Sequence, residues 1–208
     1  ERMDKIRMTE SIISLLEKAS ARRELLFDAG HQTAFRLFNG FLEGCPDLVV
    51  DVYAATAVLH NYAERPEQSL ALIHAAQAFL QEHFPWLQAG IVKTRKSPSA
   101  HEKRGKLLFG EAPDRKVQEH GVRYAIDLCM NRDASLYLDT RNLRQWLIQN
   151  IHDKTVLNTF AYTCAFSVCA AMAGARTTSL DLSKKHLAWG QRNFALNGLD
   201  PTQHDFIF

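Results

Sequence analysis

The alternation in residues 155–208 constrains this chain more than any other feature. TVLNTF (155–160) is a β-prone run, and AFSVCAAMAG (165–174) follows it as a helix ended by Gly174. RTTSLD (176–181) is strand-like again. Ser183 is placed to cap a helix that runs to Asn197-Gly198, a C-terminal stop, and HDFIF (204–208) opens a third strand. Strand–helix–strand–helix–strand at this spacing predicts an α/β architecture, the first half of a doubly wound parallel sheet. An open sheet of that kind wants further strands, from a longer natural chain or from a partner.

Upstream the pattern differs. Ile12, Leu15, Leu16 and Ala19 repeat at helical spacing behind a capping Thr9, which predicts an amphipathic helix over 9–26. FRLFNG, DLVVDVYA and AVLHNYA then read as short strands separated by Gly40, Gly44 and Pro46. Pro66 opens a helix over 67–84 that Pro85 stops. AGIVKTR and KLLFG read as strands, and VQEHGVRYAIDL as a hairpin turning near His120-Gly121. Consecutive strands of this kind make residues 31–128 an α+β unit. DTRNLRQWLIQN (139–150) reads as a helix with Asp139 placed to cap it.

Composition limits the classes open to such a chain. With 208 residues, 46% of them hydrophobic and 23% charged, usage is that of an ordinary globular protein. A net charge of +2 and a pI near 8.4 permit nucleic-acid binding without arguing for it. No apolar run approaches the ~18 residues of a membrane span, and the N-terminus lacks the uncharged core of a signal peptide. The chain opens at Glu1, which reads as a fragment or a trimmed chain. Cys45, Cys129, Cys164 and Cys169 form no Cys-x-x-Cys pair, so neither zinc nor disulfides are expected, and a reducing cytoplasm is.

Ligands of doubly wound sheets sit outside the carboxyl ends of the strands. That places the loop from Asn158 to Cys164, with its backbone amides near a helix N-terminus, at the expected site. Asp181 ends the second strand at the distance expected of a carboxylate that accepts from a ribose diol; the competing reading is that it caps the next helix. The loop has no glycine before Gly174, which disfavours a dinucleotide whose pyrophosphate needs close backbone approach. An adenosine-containing ligand without pyrophosphate, such as S-adenosylmethionine, suits it better.

VLNTFAYTCAFSVCAAMAGA followed by SLDLSKKHLAWGQRNFALNGL resembles S-adenosylmethionine-dependent methyltransferases related to the bacterial large-subunit ribosomal-RNA cytosine-5 methyltransferases. The match runs through Asn158, Phe160, Tyr162, Thr163, Phe166, Ser167, Gly174, Ala175, Asp181, Ser183, Asn193, Asn197 and Gly198. FRLFNGFLEGCPDLVVDVYA is similar to that family's central domain, and LYLDTRNLRQWL to the segment before its first sheet strand. The chain thus divides into an N-terminal helix over 1–30, read from its periodicity, and two parts within the resemblance, which covers about residues 33–208: it implies a central α+β domain over 31–128 that contacts RNA or substrate and, over 129–208, the N-terminal half of a class I, Rossmann-like methyltransferase domain. It also implies that the catalytic residues lie beyond Phe208.

By the same resemblance, Phe160, Tyr162 and Thr163 line the methionine side of S-adenosylmethionine and Asp181 holds its ribose. Asn158, Cys164, Leu182 and Ser183 complete that wall, and Asp139 and Arg141 close it near the cofactor carboxylate, which a guanidinium can grip bidentately; the competing reading of that pair is a helix-capping carboxylate and a surface arginine. Cys164 departs from the family, which usually has glycine there; a packing role is expected of it rather than a nucleophilic one. Lys93, Arg95, Lys96, Lys103, Arg104 and Lys106 form a basic stretch over 93–106, either a solvated loop or a set of phosphate contacts to RNA. The implied activity is methyl transfer to a base of ribosomal RNA in the cytoplasm. A protein or small-molecule methyltransferase and a non-catalytic RNA-binding adaptor are the alternatives.

Overall fold

The computed structural model describes residues 2–130 and 133–208. They divide into two compact units: residues 2–114 with 128–130 and 133–134, and residues 115–127 with 135–208.

The first unit is a five-stranded sheet with helices on one face. Its strands, in spatial order, are β1 (Ala34–Asn39), β2 (Leu48–Tyr53), β3 (Thr56–Asn61), β4 (Ala89–Thr94) and β5 (Lys106–Phe109). β1–β2, β2–β3 and β4–β5 pair antiparallel, whereas β3 and β4 pair parallel. Parallel neighbours need a crossover, supplied by α2 (Leu70–His83) after a 3-10 turn at Pro66–Ser69. The alternate residues Val50, Val52, Ala57 and Leu59 join Leu72, Ile73, Ala76, Phe79 and Leu80 of α2 in one core. The N-terminal helix α1 (Arg2–Arg22) starts earlier than its apolar repeat suggested. Ile12, Leu16 and Ala19 seal it into the same core, so it belongs to this unit and is not a separate element. Each large side chain buried this way contributes about 1.5–3 kcal/mol.

The second unit holds β8 (Thr155–Thr159), β9 (Arg176–Leu180) and β10 (Asp205–Ile207), all parallel, in the order β10-β9-β8. Helix α5 (Ala165–Met172) joins the first pair and α6 (Lys184–Leu196) the second, while α4 (Arg141–Asn150) precedes β8. A third strand outside the second is the ordering of half a doubly wound sheet.

The hairpin β6 (Lys116–Glu119) and β7 (Val122–Ala125) groups with this unit, and not with residues 31–128 as its sequence position suggested. The reason lies in α6. Asn193, fully buried, accepts from the Ala125 amide at 2.9 Å and donates to the Thr163 carbonyl at 3.0 Å. Asn197 accepts from the Arg123 amide and donates to its carbonyl, and Trp189 Nε1 donates to the Ala125 carbonyl. Two asparagines of the motif thus supply the partners that the hairpin backbone needs. No helix among the described residues is long and apolar enough to cross a membrane.

Candidate functional site

The loop between β8 and α5 stands at the carboxyl edge of the parallel sheet, and its backbone is unusual. Phe160, Tyr162 and Cys164 all adopt left-handed conformations, with φ of 57°, 50° and 60°. Each costs a non-glycine residue about 1–2 kcal/mol, so the surroundings must over-determine the loop. They do. The Ala161 amide donates to Leu180 O at 2.9 Å and the Tyr162 amide to Asp181 Oδ2 at 2.8 Å. Thr163 Oγ1 donates to Ser135 O at 2.7 Å, and Asn193 holds the Thr163 carbonyl.

The φ of Cys164 gives the physical reason for glycine at this position. Cys164 accepts the strain and buries its thiol completely against α6, where a Cβ at Gly190 would overlap its Sγ. Burial pushes the thiol up to about 11, which leaves it protonated at neutral pH. Cys164 is therefore fully buried against α6 and presents no side chain to the loop surface, where a place in the cofactor wall was expected. Thr163 is likewise buried, its hydroxyl spent on Ser135.

Asp181 receives two amides: Tyr162 N–H on Oδ2 and Ser183 N–H on Oδ1, the latter at 2.9 Å. Helix α6 is capped by Ser183, whose Oγ accepts from His186 N–H, so Asp181 is free of the capping role. Each carboxylate oxygen retains a lone pair for a further donor. Leu182 beside it is 85% exposed, as is Phe160 at the start of the loop. Tyr162 stacks edge-on against His186, with centroids 4.6 Å apart. The Asn158 amide points inward to Ser167 Oγ at 2.9 Å, which in turn accepts from Ser179.

A cleft of about 80 Å³ lies beside this loop, lined by Tyr137, Thr140, Phe160, Tyr162, Thr163 and Phe166 among others. Its opposite wall depends on a residue the sequence reading missed. Arg144 is 1% exposed; Nε and Nη2 donate to the two Glu119 oxygens at 2.6 and 2.9 Å, and Nη1 to Tyr137 O and Thr140 Oγ1, each at 2.7 Å. Burial alone would lower the Arg144 pKa, but the hydrogen bonds and charge of Glu119 raise it. Arg141 also anchors on Glu119, at 3.1 Å, while Asp139 stays exposed on the 3-10 turn Leu138–Thr140. The signal available in sequence was Arg144 itself, a charge one turn beyond Arg141 on the apolar side of α4, near Leu147.

The basic stretch is not one loop. It contains the end of β4, the short helix α3 (Ala100–Arg104) and the start of β5. Lys93 is fully buried and donates to Asp133 O at 2.6 Å, because it shares the strand face of Ile91. Lys96 pairs with Glu64 and Lys106 with Glu102. Phosphate contact by Lys93 is therefore excluded, and of the six cations Arg95, Lys103 and Arg104 remain the better candidates.

Comparison with known proteins decides the family. Residues 90–208 match the model of an S-adenosylmethionine-dependent methyltransferase. The chain belongs to that family. It is 33% identical to ribosomal RNA large subunit methyltransferase K/L of Psychrobacter cryohalolentis over 96% of its length, covering 26% of that protein. It is 31% identical to ribosomal RNA large subunit methyltransferase I of Aeromonas salmonicida, covering 92% of this chain and 49% of that one. The crystal structure of SMU.776, a proposed methyltransferase in complex with SAH, superposes with a TM-score of 0.84 at 28% identity, covering 96% of this chain and 51% of the other. The chain thus spans about a quarter to half the length of the curated relatives it matches. S-adenosylmethionine is the cofactor of the family, and the Rossmann-like class read from the sequence holds.

Proposed function

We propose that this chain is the cofactor-binding part of a methyltransferase that modifies a base of large-subunit ribosomal RNA. The observation that carries the reading is the strained, fully anchored loop 160–164, held to Asp181 at the carboxyl edge of the sheet. A pre-ordered loop there spends its strain before a ligand arrives, so binding loses little further entropy. The fit is good: Asp181 keeps acceptor capacity for a ribose diol, and the exposed Phe160 and Leu182 offer apolar surface on either side of it. At about 80 Å³ the cleft takes one end of a cofactor, not the whole.

When bound, S-adenosylmethionine supplies an electrophilic sulfonium methyl. In this reading Asp181 fixes the nucleoside, and Tyr162 and Phe160 flank the methionine arm. Arg144 and Glu119 act by position, holding the Tyr137–Thr140 turn from which Asp139 projects. The rest of catalysis is alignment of methyl and acceptor.

RNA as the substrate is supported by the names of the relatives. The finer expectation of cytosine-5 as the target needs a thiolate, and the two buried cysteines, Cys164 and Cys169, are both pushed up to about 11. Transfer from labelled S-adenosylmethionine to protein-free ribosomal RNA by the full-length protein tests the proposal. Label found in protein alone would refute it. Nucleoside analysis of labelled RNA reads the target: 5-methylcytidine supports cytosine-5 transfer, and any other methylated nucleoside replaces it.

A further inference from the structure

The face of the five-stranded sheet opposite its helices carries a row of charged side chains that methyl transfer does not use. Arg36 of β1 donates from Nε to Asp51 Oδ1 of β2 at 2.8 Å. Asp51 Oδ2 lies 2.9 Å from His60 Nε2 of β3, and His60 Nδ1 lies 2.9 Å from a terminal nitrogen of Arg95, just past β4. A guanidinium can only donate, so Nδ1 accepts, and the imidazole proton sits on Nε2, directed at Asp51. His60 is thereby a neutral spacer, and the row holds two guanidinium charges against one carboxylate.

Three features separate this row from a structural ion pair. Asp51 and His60 are both 3% exposed, yet the Arg36 side chain is 41% exposed. Tyr62, 40% exposed, presents its ring 5.5 Å from the Arg95 guanidinium carbon. Arg95 Nε is shielded from solvent and has no hydrogen-bond partner among the described residues, an orphaned donor of a kind native structures rarely leave. Arg95 as a whole is half-buried, and an anion brought to the accessible part of its guanidinium would offset the surplus positive charge.

We propose that Arg36, Arg95 and Tyr62 form a subsite for one nucleotide of a single-stranded RNA segment, the arginines gripping phosphate and Tyr62 stacking the adjoining base. The buried Asp51–His60 pair fixes both guanidiniums before RNA arrives, which limits the side-chain entropy lost on binding. The centre of this face is buried, and the subsite lies at its margin, where exposed aromatic and basic groups stand side by side; such groups recur in single-stranded RNA sites, with phosphate contacts positioning and stacking holding the base. The subsite rests on the ribosomal-RNA reading above.

The test is binding of the full-length protein to protein-free large-subunit ribosomal RNA across a salt series, with SAH calorimetry as the control. Arg95→Gln is expected to weaken RNA binding about tenfold and to reduce the salt slope by about one. Tyr62→Leu is expected to weaken it about tenfold, with Tyr62→Phe restoring it, and SAH affinity is unchanged throughout. If Arg95→Gln fails to fold, the half-exposed Tyr62 pair carries the test alone. Variants that melt and bind SAH as the parent does, yet keep its RNA affinity and slope, overturn the subsite and leave the RNA reading standing. A parent protein that binds no RNA while labelling protein overturns both.

Discussion

Each unit is built around an arginine–carboxylate assembly, and the two assemblies are finished to different degrees. In the C-terminal unit, Glu119 and Arg144 are both 1% exposed, and every nitrogen of the guanidinium donates within the unit. In the N-terminal unit, Asp51 is equally buried but spans Arg36, His60 and, through the imidazole, Arg95, whose Nε has no partner among the described residues. The closed assembly fixes a turn beside the cofactor loop; the open one retains a donor and a surplus charge at a partly exposed edge. Burial alone does not separate structure from recognition. The count of satisfied donors does.

The largest effect expected from breaking that contrast is at Arg144. Arg144→Ala leaves the buried Glu119 with Arg141 as its remaining cation, at 3.1 Å, and strips the partners from Tyr137 O and Thr140 Oγ1, so it should cost about 3 kcal/mol in denaturant unfolding. Arg144→Met combined with Glu119→Leu should return most of it, because an apolar pair replaces both ions. Equal losses in the single and double variants would mean that the assembly is not closed.

Asp181 sharpens the contrast from the ligand side, since two amides hold it while its side chain stays 14% exposed. Asp181→Asn keeps the shape but removes the charge and, because an amide nitrogen cannot accept, one of the two backbone hydrogen bonds; it should weaken SAH binding about tenfold to a hundredfold by calorimetry. Unchanged affinity would leave Asp181 as a loop clamp only.

Acid should loosen the open assembly first. Burial lowers the pKa of His60 below its ordinary 6.5 despite the opposing charge of Asp51, so the unfolded chain takes up that proton before the folded one. Stability from this group is complete above about 6.5 and is lost as pH falls toward the depressed folded value. Burial would raise Asp51, but His60 and Arg36 hold it below its ordinary 3.8, so its contribution persists to lower pH. Unfolding free energy should therefore decline as pH falls below about 6.5, and His60→Gln should flatten that slope. A slope identical in the variant would assign the loss elsewhere.

Much of this was legible in the chain. The alternation of residues 155–208 gave strand order and loop position, since period and turn chemistry agree there. The burial of Lys93 was encoded too, because it alternates with Gly90, Val92 and Thr94 and so shares its strand face with Ile91; a run of cations hid that parity. The hairpin's allegiance was not legible. Asn193 and Asn197 read as helix-end chemistry, and nothing local shows that they bind backbone about seventy residues away. The same holds for Glu119 and Arg144, whose pairing exists only once β6 meets α4.

The smallest effect is expected where the closed unit packs without charge. Cys164→Gly removes left-handed strain of about 1–2 kcal/mol and gives up the contacts of a buried thiol, so the net change should lie within about 1 kcal/mol. Gly190→Ala alone places a Cβ onto the Cys164 thiol and should destabilise by about 1–3 kcal/mol. In the Cys164→Gly background the same alanine enters vacated space and adds helix propensity worth about 1 kcal/mol, so its sign should reverse. A thermal melt of the four variants in this cycle measures that coupling. If Gly190→Ala costs the same with either residue at 164, then Cys164 and Gly190 are not packed as a pair, and the cysteine's acceptance in a glycine position needs another cause.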